Sequence, residues 1–307
     1  MKIMCVFITS VIAVSGLAGC ATVSGTPLSP YGNAKAGLRT IEKQEPVTPP
    51  PGYTLIWNDE FEGNEVNPEK WAFQEGTGAE YGLTRWGNNE AQNYRKENAG
   101  VSDGCLRITV KKEPYANMAY TSARLFTQPT FSFQYGRIEA RIKLPAAEGL
   151  WPAFWMLPEG SEYGNWAASG EMDIMENKGR IMTETSGAAH YGGAWPNNVF
   201  SAKTYHFPAG SSAADFHVYA LEWTDAELKW YVDGELFFTL SEWYTTDADG
   251  SPVQKGAPFD KKFYILLNCA VGGNFDSGIT PPDSFEQAEM AVDYIRVFQR
   301  DADMLSR

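Results

Sequence analysis

Short runs of alternating or wholly apolar residues, each closed by Gly, Asn, Asp or Pro, constrain this chain more than any other feature. Residues 106–110, 136–142, 216–223, 228–232, 263–267 and 290–297 are runs of this kind. A period of two sends successive side chains to opposite faces of an extended strand, so one face can be buried while the other meets solvent. Asp233-Gly234, between two such runs, is a hairpin signal, because a tight two-residue turn needs residues that tolerate positive φ. No long segment keeps a helical period, and no internal repeat is visible. The expected fold is therefore all-β, a sandwich of two stacked antiparallel sheets. A length of 307 residues suffices for one large domain of that kind.

The N-terminus has a different texture. Lys2 precedes an apolar run from Val6 to Val14 that is too short to span a bilayer and reads as a targeting signal. It closes on Leu17-Ala18-Gly19-Cys20, which resembles the bacterial lipoprotein signal, where cleavage precedes a lipid-bearing cysteine. Residues 1–20 are assigned to that signal, with Cys20 as the lipidation site. Ala21 after the cysteine resembles the pattern exported to an outer membrane, so a secreted, membrane-anchored lipoprotein is expected. Residues 21–52, rich in Ser, Thr, Pro, Gly and Ala, read as a flexible tether. The catalytic domain is expected over 53–300, followed by a tail at 301–307.

Of the cysteines, Cys5 leaves with the signal, and only Cys105 and Cys269 remain for the domain. Each sits in an apolar strand-like run and reads as a buried free thiol, although an oxidising compartment also permits one bridge. A net charge of −13 argues against nucleic acid and anionic membrane surfaces, and it suits a neutral ligand such as a sugar. Membrane contact would come through the lipid at Cys20. Aromatic residues make up 14%, enough to supply both a core and flat platforms for sugar rings. A monomer is expected.

The chemistry lies in Gly170-Glu171-Met172-Asp173-Ile174-Met175-Glu176-Asn177. On a strand, Glu171 and Asp173 share a face while Met172 and Ile174 point into the core. Glu176, five residues from Glu171, would fall on the opposite face. One extra residue in a bulge, expected at Met175, returns it to the first. Three acids on one face raise one another's pKa, and glycoside hydrolysis uses that arrangement. One carboxylate attacks the anomeric carbon while a second, still protonated, donates to the leaving oxygen. An acidic solvent-facing or calcium-binding strand would show the same three residues.

The flanks add specificity. Glu171-Met172-Asp173-Ile174-Met175-Glu176 resembles the signature of glycoside hydrolase family 16 in its bulged, laminarinase-type form. The similarity runs through Trp57-Asn58-Asp59-Glu60-Phe61, Trp86-Gly87-Asn88-Asn89-Glu90 and Tyr120-Thr121-Ser122-Ala123-Arg124. It continues through Leu150-Trp151-Pro152-Ala153-Phe154-Trp155, Leu267-Asn268-Cys269-Ala270-Val271-Gly272-Gly273 and Val292-Asp293-Tyr294-Ile295-Arg296-Val297.

The resemblance implies a jelly-roll sandwich of two curved sheets with β-glucan polysaccharide lying across the concave one. It implies a retaining endo-β-glucanase acting on β-1,3-glucan or mixed-linkage β-1,3-1,4-glucan, with no cofactor for catalysis. By the same similarity, Glu171 is the nucleophile, Glu176 the acid/base, and Asp173 a hydrogen-bond partner of Glu171. Asn88, Arg124, Trp151, Trp155 and Trp166 would line the minus side, with Asn268 in a matching substrate-strand motif. His190 would neighbour the acid/base, and Trp195 would serve a plus-side subsite. Glu60, Gly104 and Asp293 match positions that hold a structural calcium on the convex face; two carboxylates and a carbonyl suit that ion. A family 16 enzyme acting on a galactan, a transglycosylase and a lectin-like jelly roll are the alternatives.

The chain also departs from the resemblance. The stretch Gly256-Ala257-Pro258-Phe259-Asp260 lacks a tryptophan common before the Phe-Asp pair, and Asn177-Lys178-Gly179 replaces an aromatic-containing continuation.

Overall fold

A computed structural model describes residues 47–247 and 249–304 of the chain. The expected signal, Cys20, the tether up to residue 46 and residues 305–307 lie outside the described residues. The described residues from Val47 onward fall in one compact unit.

In chain order the strands begin with β1 (Tyr53–Asp59), β2 (Ala72–Phe73), β3 (Gln92–Tyr94), β4 (Ala99–Ser102), β5 (Cys105–Lys111) and β6 (Tyr120–Ser122). There follow β7 (Arg124–Phe126), β8 (Gly136–Lys143), β9 (Leu150–Pro158), β10 (Glu171–Glu176), β11 (Glu184–Tyr191) and β12 (Val199–His206). The last are β13 (Phe216–Trp223), β14 (Leu228–Val232), β15 (Glu235–Leu240), β16 (Phe263–Val271) and β17 (Gln287–Arg300), with a short helix at Asp301–Met304.

They form two sheets. Seven strands run in the order β12-β11-β10-β9-β16-β7-β2, and the larger sheet runs β15-β14-β13-β8-β17-β5-β6-β3, with β1 on β17 and β4 on β5. Pairings are antiparallel except β3 with β6, which is parallel. The all-β sandwich expected from the period-two runs is therefore the fold, and every run named above lies inside a strand. Asp233 and Gly234, at φ 50° and 81°, make the β14–β15 turn.

Alternation decides the core. In β8 every second residue is buried, and in β16 all nine are. That continuous burial suits a strand with the sandwich core on one face and a covered cleft floor on the other. Trp223, Trp230, Phe154, Phe263 and Leu106 fill the space between the sheets. Cys105 and Cys269 are buried free thiols, one in each sheet.

Candidate active site

Strand β10 lies between β9 and β11, and its register carries the acidic cluster. Asp173 pairs with Trp155 on β9, Met175 with Phe154 and Glu176 with Ala153. Ile174 is therefore the unpaired residue. On the β11 side, Asp173 faces Ala188 and Glu176 faces Ser186, so Ile174 and Met175 together oppose Gly187. The bulge exists, but the extra residue is Ile174 rather than Met175, because Met175 keeps a cross-strand partner in the core.

Contacts from outside the strand hold this irregularity. Trp230 of the opposite sheet donates its indole N–H to the Asp173 carbonyl at 2.8 Å, satisfying a buried acceptor. Thr185 donates to the Glu176 carbonyl at 2.9 Å. Gly187 makes room, since a Cβ there would lie 2.4 Å from the Trp230 ring. Glu171, Asp173 and Glu176 thus share the outer face of the seven-stranded sheet.

Each carboxyl has its own donors. Trp166 donates its indole N–H to Glu171 Oε2 at 2.9 Å, and Trp151 donates to Glu176 Oε1 at 2.9 Å. His190 pairs with Glu171 in register, and its Nε2 lies 3.3 Å from Asp173 Oδ2 and 3.8 Å from Glu171 Oε1. The Asp173 contact has the length of an ion pair, and Asp173 Oδ2 and, on the other side of the ring, His190 Nδ1 lack a hydrogen-bond partner. The shortest contacts of His190 are to Asp173 and Glu171, and its charge also acts on Glu176, beside which it was expected.

Burial, and then the Asp173 charge, push Glu171 up to about 8, and the same two causes push Glu176 up to about 8. Burial works against the charged form of His190, but the three carboxylates outweigh it and raise the imidazole to about 9. His190 Nε2, 3.8 Å from Glu171 Oε1, favours the ionised form of that carboxyl, and its charge acts in the same direction on Glu176. The donor atoms of Glu171, Asp173 and His190 lie within 4.8 Å of one another.

Beyond β9 the face becomes a tryptophan-lined surface. Asn268 accepts from the Trp155 indole at 2.7 Å and donates to the Tyr94 hydroxyl at 3.0 Å. Tyr94 donates to Glu90 at 3.1 Å, and Gln92 donates to the same oxygen at 2.6 Å. Arg124 lies between the Trp86 and Trp155 rings, 4.6 and 4.8 Å from their centroids, and donates to Gln74 at 2.6 Å. Burial raises the Glu90 carboxyl, while Arg124 opposes that shift.

Asn88 touches Glu90 at 3.4 Å, and Trp151 stacks on Phe275 at 5.1 Å. The structure therefore joins Asn88, Arg124, Trp151, Trp155 and Asn268 to one surface, while Trp166 sits at Glu171. Trp195 is 73% exposed on a neighbouring loop and donates its backbone N–H to the Trp166 carbonyl at 2.8 Å. Glu90, Gln92 and Tyr94 had no assigned role in the sequence reading. The signal was their period-two spacing, which puts three buried polar groups on one strand face.

The calcium candidates meet on the other sheet. Asp59 pairs with Ile295 on β17, and Val292 pairs with Leu106 on β5, which brings Glu60, Asp293 and the turn holding Gly104 toward one corner. Both carboxylates already have cationic partners. Arg296 donates to Glu60 at 2.9 and 2.7 Å, and Arg141 donates to Asp293 Oδ2 at 2.6 Å. A polar cavity of about 250 Å³, lined in part by Asn58, Glu60, Glu62 and Glu65, opens beside Glu60. Lys70 also lines that cavity, whereas Asp293 and Gly104 do not; two carboxylates and a carbonyl are the donor types that calcium takes.

Paired carboxyls on a bulged strand, flanked by tryptophans across an open sheet, define a carbohydrate-cleaving β-sandwich. Residues 87–266 match the family Glycosyl hydrolases family 16. The chain is 42% identical over 293 residues to glucan endo-1,3-beta-glucosidase A1 of Niallia circulans, covering 87% of this chain and 42% of that protein. It is 38% identical over 257 residues to a beta-glucanase of Rhodothermus marinus, covering 81% and 86% respectively. The catalytic domain of an endo-1,3-beta-glucanase (laminarinase) from Thermotoga petrophila RKU-1 superposes with a TM-score of 0.70 at 36% identity, covering 81% of this chain and 98% of that one. The chain belongs to glycosyl hydrolase family 16 and is a glycoside hydrolase.

Proposed function

We propose that this chain is a retaining endo-β-glucanase that hydrolyses β-1,3-glucan or mixed-linkage β-1,3-1,4-glucan, with Glu171 as nucleophile and Glu176 as acid/base. The observation that carries this reading is the Ile174 bulge, which returns Glu176 to the face that carries Glu171. A Glu171 oxygen attacks the anomeric carbon, the bond to the leaving sugar's oxygen breaks, and Glu176 gives that oxygen its proton. Glu176 then takes a proton from water, whose oxygen attacks the same carbon and frees Glu171. Asp173 and His190 tune how the pair shares its protons. Trp155, held by Asn268, and Arg124 offer the substrate a flat ring and a fixed donor.

The names of the relatives support a β-1,3-linked substrate, although this chain spans less than half the length of the Niallia circulans enzyme. Reducing-sugar release from laminarin, barley glucan and agarose, run in parallel, tests the reading. Release from laminarin or barley glucan alone is expected. Release from agarose alone would favour a galactanase, and no release from any, with glucan still bound, a lectin.

Two further elements are part of the proposal. Cys20 carries a lipid that anchors the protein to an outer membrane. Glu60, Asp293 and the Gly104 carbonyl hold a structural calcium away from the cleft.

A further inference from the structure

Phe200 stands out on the catalytic face. It is 64% exposed, on the edge strand β12, and pairs with His190, which in turn pairs with Glu171. Residues paired across a sheet share a face, and two strand spacings put Phe200 about 10 Å from Glu171. Its side of the catalytic strand is opposite that of Trp155, so an aromatic ring flanks the carboxylates in both directions. The neighbouring rows on β11 and β12 carry Ala188 with Ala202 and Ser186 with Thr204. Those side chains are small and leave a shallow floor beside the ring. The ring itself is held in place, stacked on His190 at 5.5 Å and 28°. His190 lies against Trp166, also at 5.5 Å.

We infer that Phe200 is the platform for the β-glucosyl residue on the leaving-group side of the scissile bond. The same platform holds the sugar that competes with water for the glycosyl-enzyme. An aromatic face suits the C–H face of a pyranose, and the floor beside it admits a chain continuing from the catalytic row. In transfer, an acceptor hydroxyl oxygen attacks the anomeric carbon, its bond to Glu171 breaks, and Glu176 takes the hydroxyl proton. No other reactant is required. The inference rests on the glucanase reading given above.

The test compares two donors with identical sugars on the minus side. One is a laminari-oligosaccharide extending past the scissile bond, and the other is the corresponding β-glycosyl fluoride, whose leaving group has no ring. Phe200→Ser should lower kcat/KM on the oligosaccharide about tenfold but by less than about twofold on the fluoride. It should also cut the ratio of transfer to hydrolysis when a free sugar acceptor is added, and Phe200→Tyr should restore both. Equal losses on the two donors would mean that Phe200 acts through His190 and would overturn the inference. An unchanged oligosaccharide rate would overturn it as well. A wild-type protein that consumes neither donor would sink the glucanase reading, and the inference with it.

Discussion

Glu176→Gln should stabilise the folded protein at alkaline pH while abolishing hydrolysis of natural glucan. Burial first, and Asp173 second, lift Glu176 from 4.5 to about 8. A carboxyl with a raised folded value binds more protons folded than unfolded. Stability therefore falls as pH rises from about 4.5 and levels off above about 8. A rise from 4.5 to about 8, at about 1.4 kcal/mol per pH unit, would amount to roughly 5 kcal/mol if Glu176 titrated alone. It does not, because Glu171 is raised to the same range by burial and by the same Asp173. Removing one charge from a coupled set recovers about half, or ~2 kcal/mol. For a domain of this size that is a Tm gain of about 4–8 °C at pH 9. At pH 4.5 the wild-type carboxyl is neutral, and glutamine can accept the same Trp151 bond, so the gain should shrink to about 1 °C or less. Calorimetric melts at both pH values, with glucan hydrolysis followed in parallel, check this. A gain that is equal at both pH values, or a loss at pH 9, would refute the electrostatic reasoning.

Tyr94→Phe should cost about 1–3 kcal/mol, since Asn268 and Glu90 each lose a buried partner. Denaturant melts read that cost, and a KM for glucan oligosaccharides that rises more than kcat falls would show that the loosened ring is Trp155. If calcium binds at Glu60 and Asp293, a hundredfold excess over Kd adds about 2.7 kcal/mol. Chelation should then lower Tm while turnover at low temperature persists, and equal Tm values with calcium and with chelator would count against the site. Cys20→Ser should move the protein from the membrane fraction to the soluble one or leave it unprocessed, and unchanged fractionation would remove the anchor.

Much of this architecture was legible because a strand has only two faces. The period-two runs at 136–142 and 216–223 gave paired strands, and the Asp233-Gly234 turn lies where its φ tolerance requires. The bulge was legible for the same reason, since five residues of separation conflict with a shared face for Glu171 and Glu176. Its position was not legible, because choosing between Ile174 and Met175 depends on Phe154 and Trp230, which come from other strands. Cross-strand partners also explain why His190 lies nearest Asp173 and why the Glu90–Tyr94–Asn268 relay went unassigned. The arginines on Glu60 and Asp293 lie 236 and 152 residues away along the chain. Local sequence carries no trace of such pairings.

The stereochemistry of the first-formed product tests the central claim most directly. Double displacement requires the two carboxyls to stand about 5–5.5 Å apart, whereas a wider pair admits a water and inverts the anomeric centre. Retention depends on the Ile174 bulge holding Glu176 on the face of Glu171 at the closer spacing. Proton NMR of the initial anomeric signal from a β-glucan oligosaccharide should therefore show the β-anomer, with the α-anomer growing in only by mutarotation. An initial α-anomer would contradict the assignment of Glu171 as nucleophile.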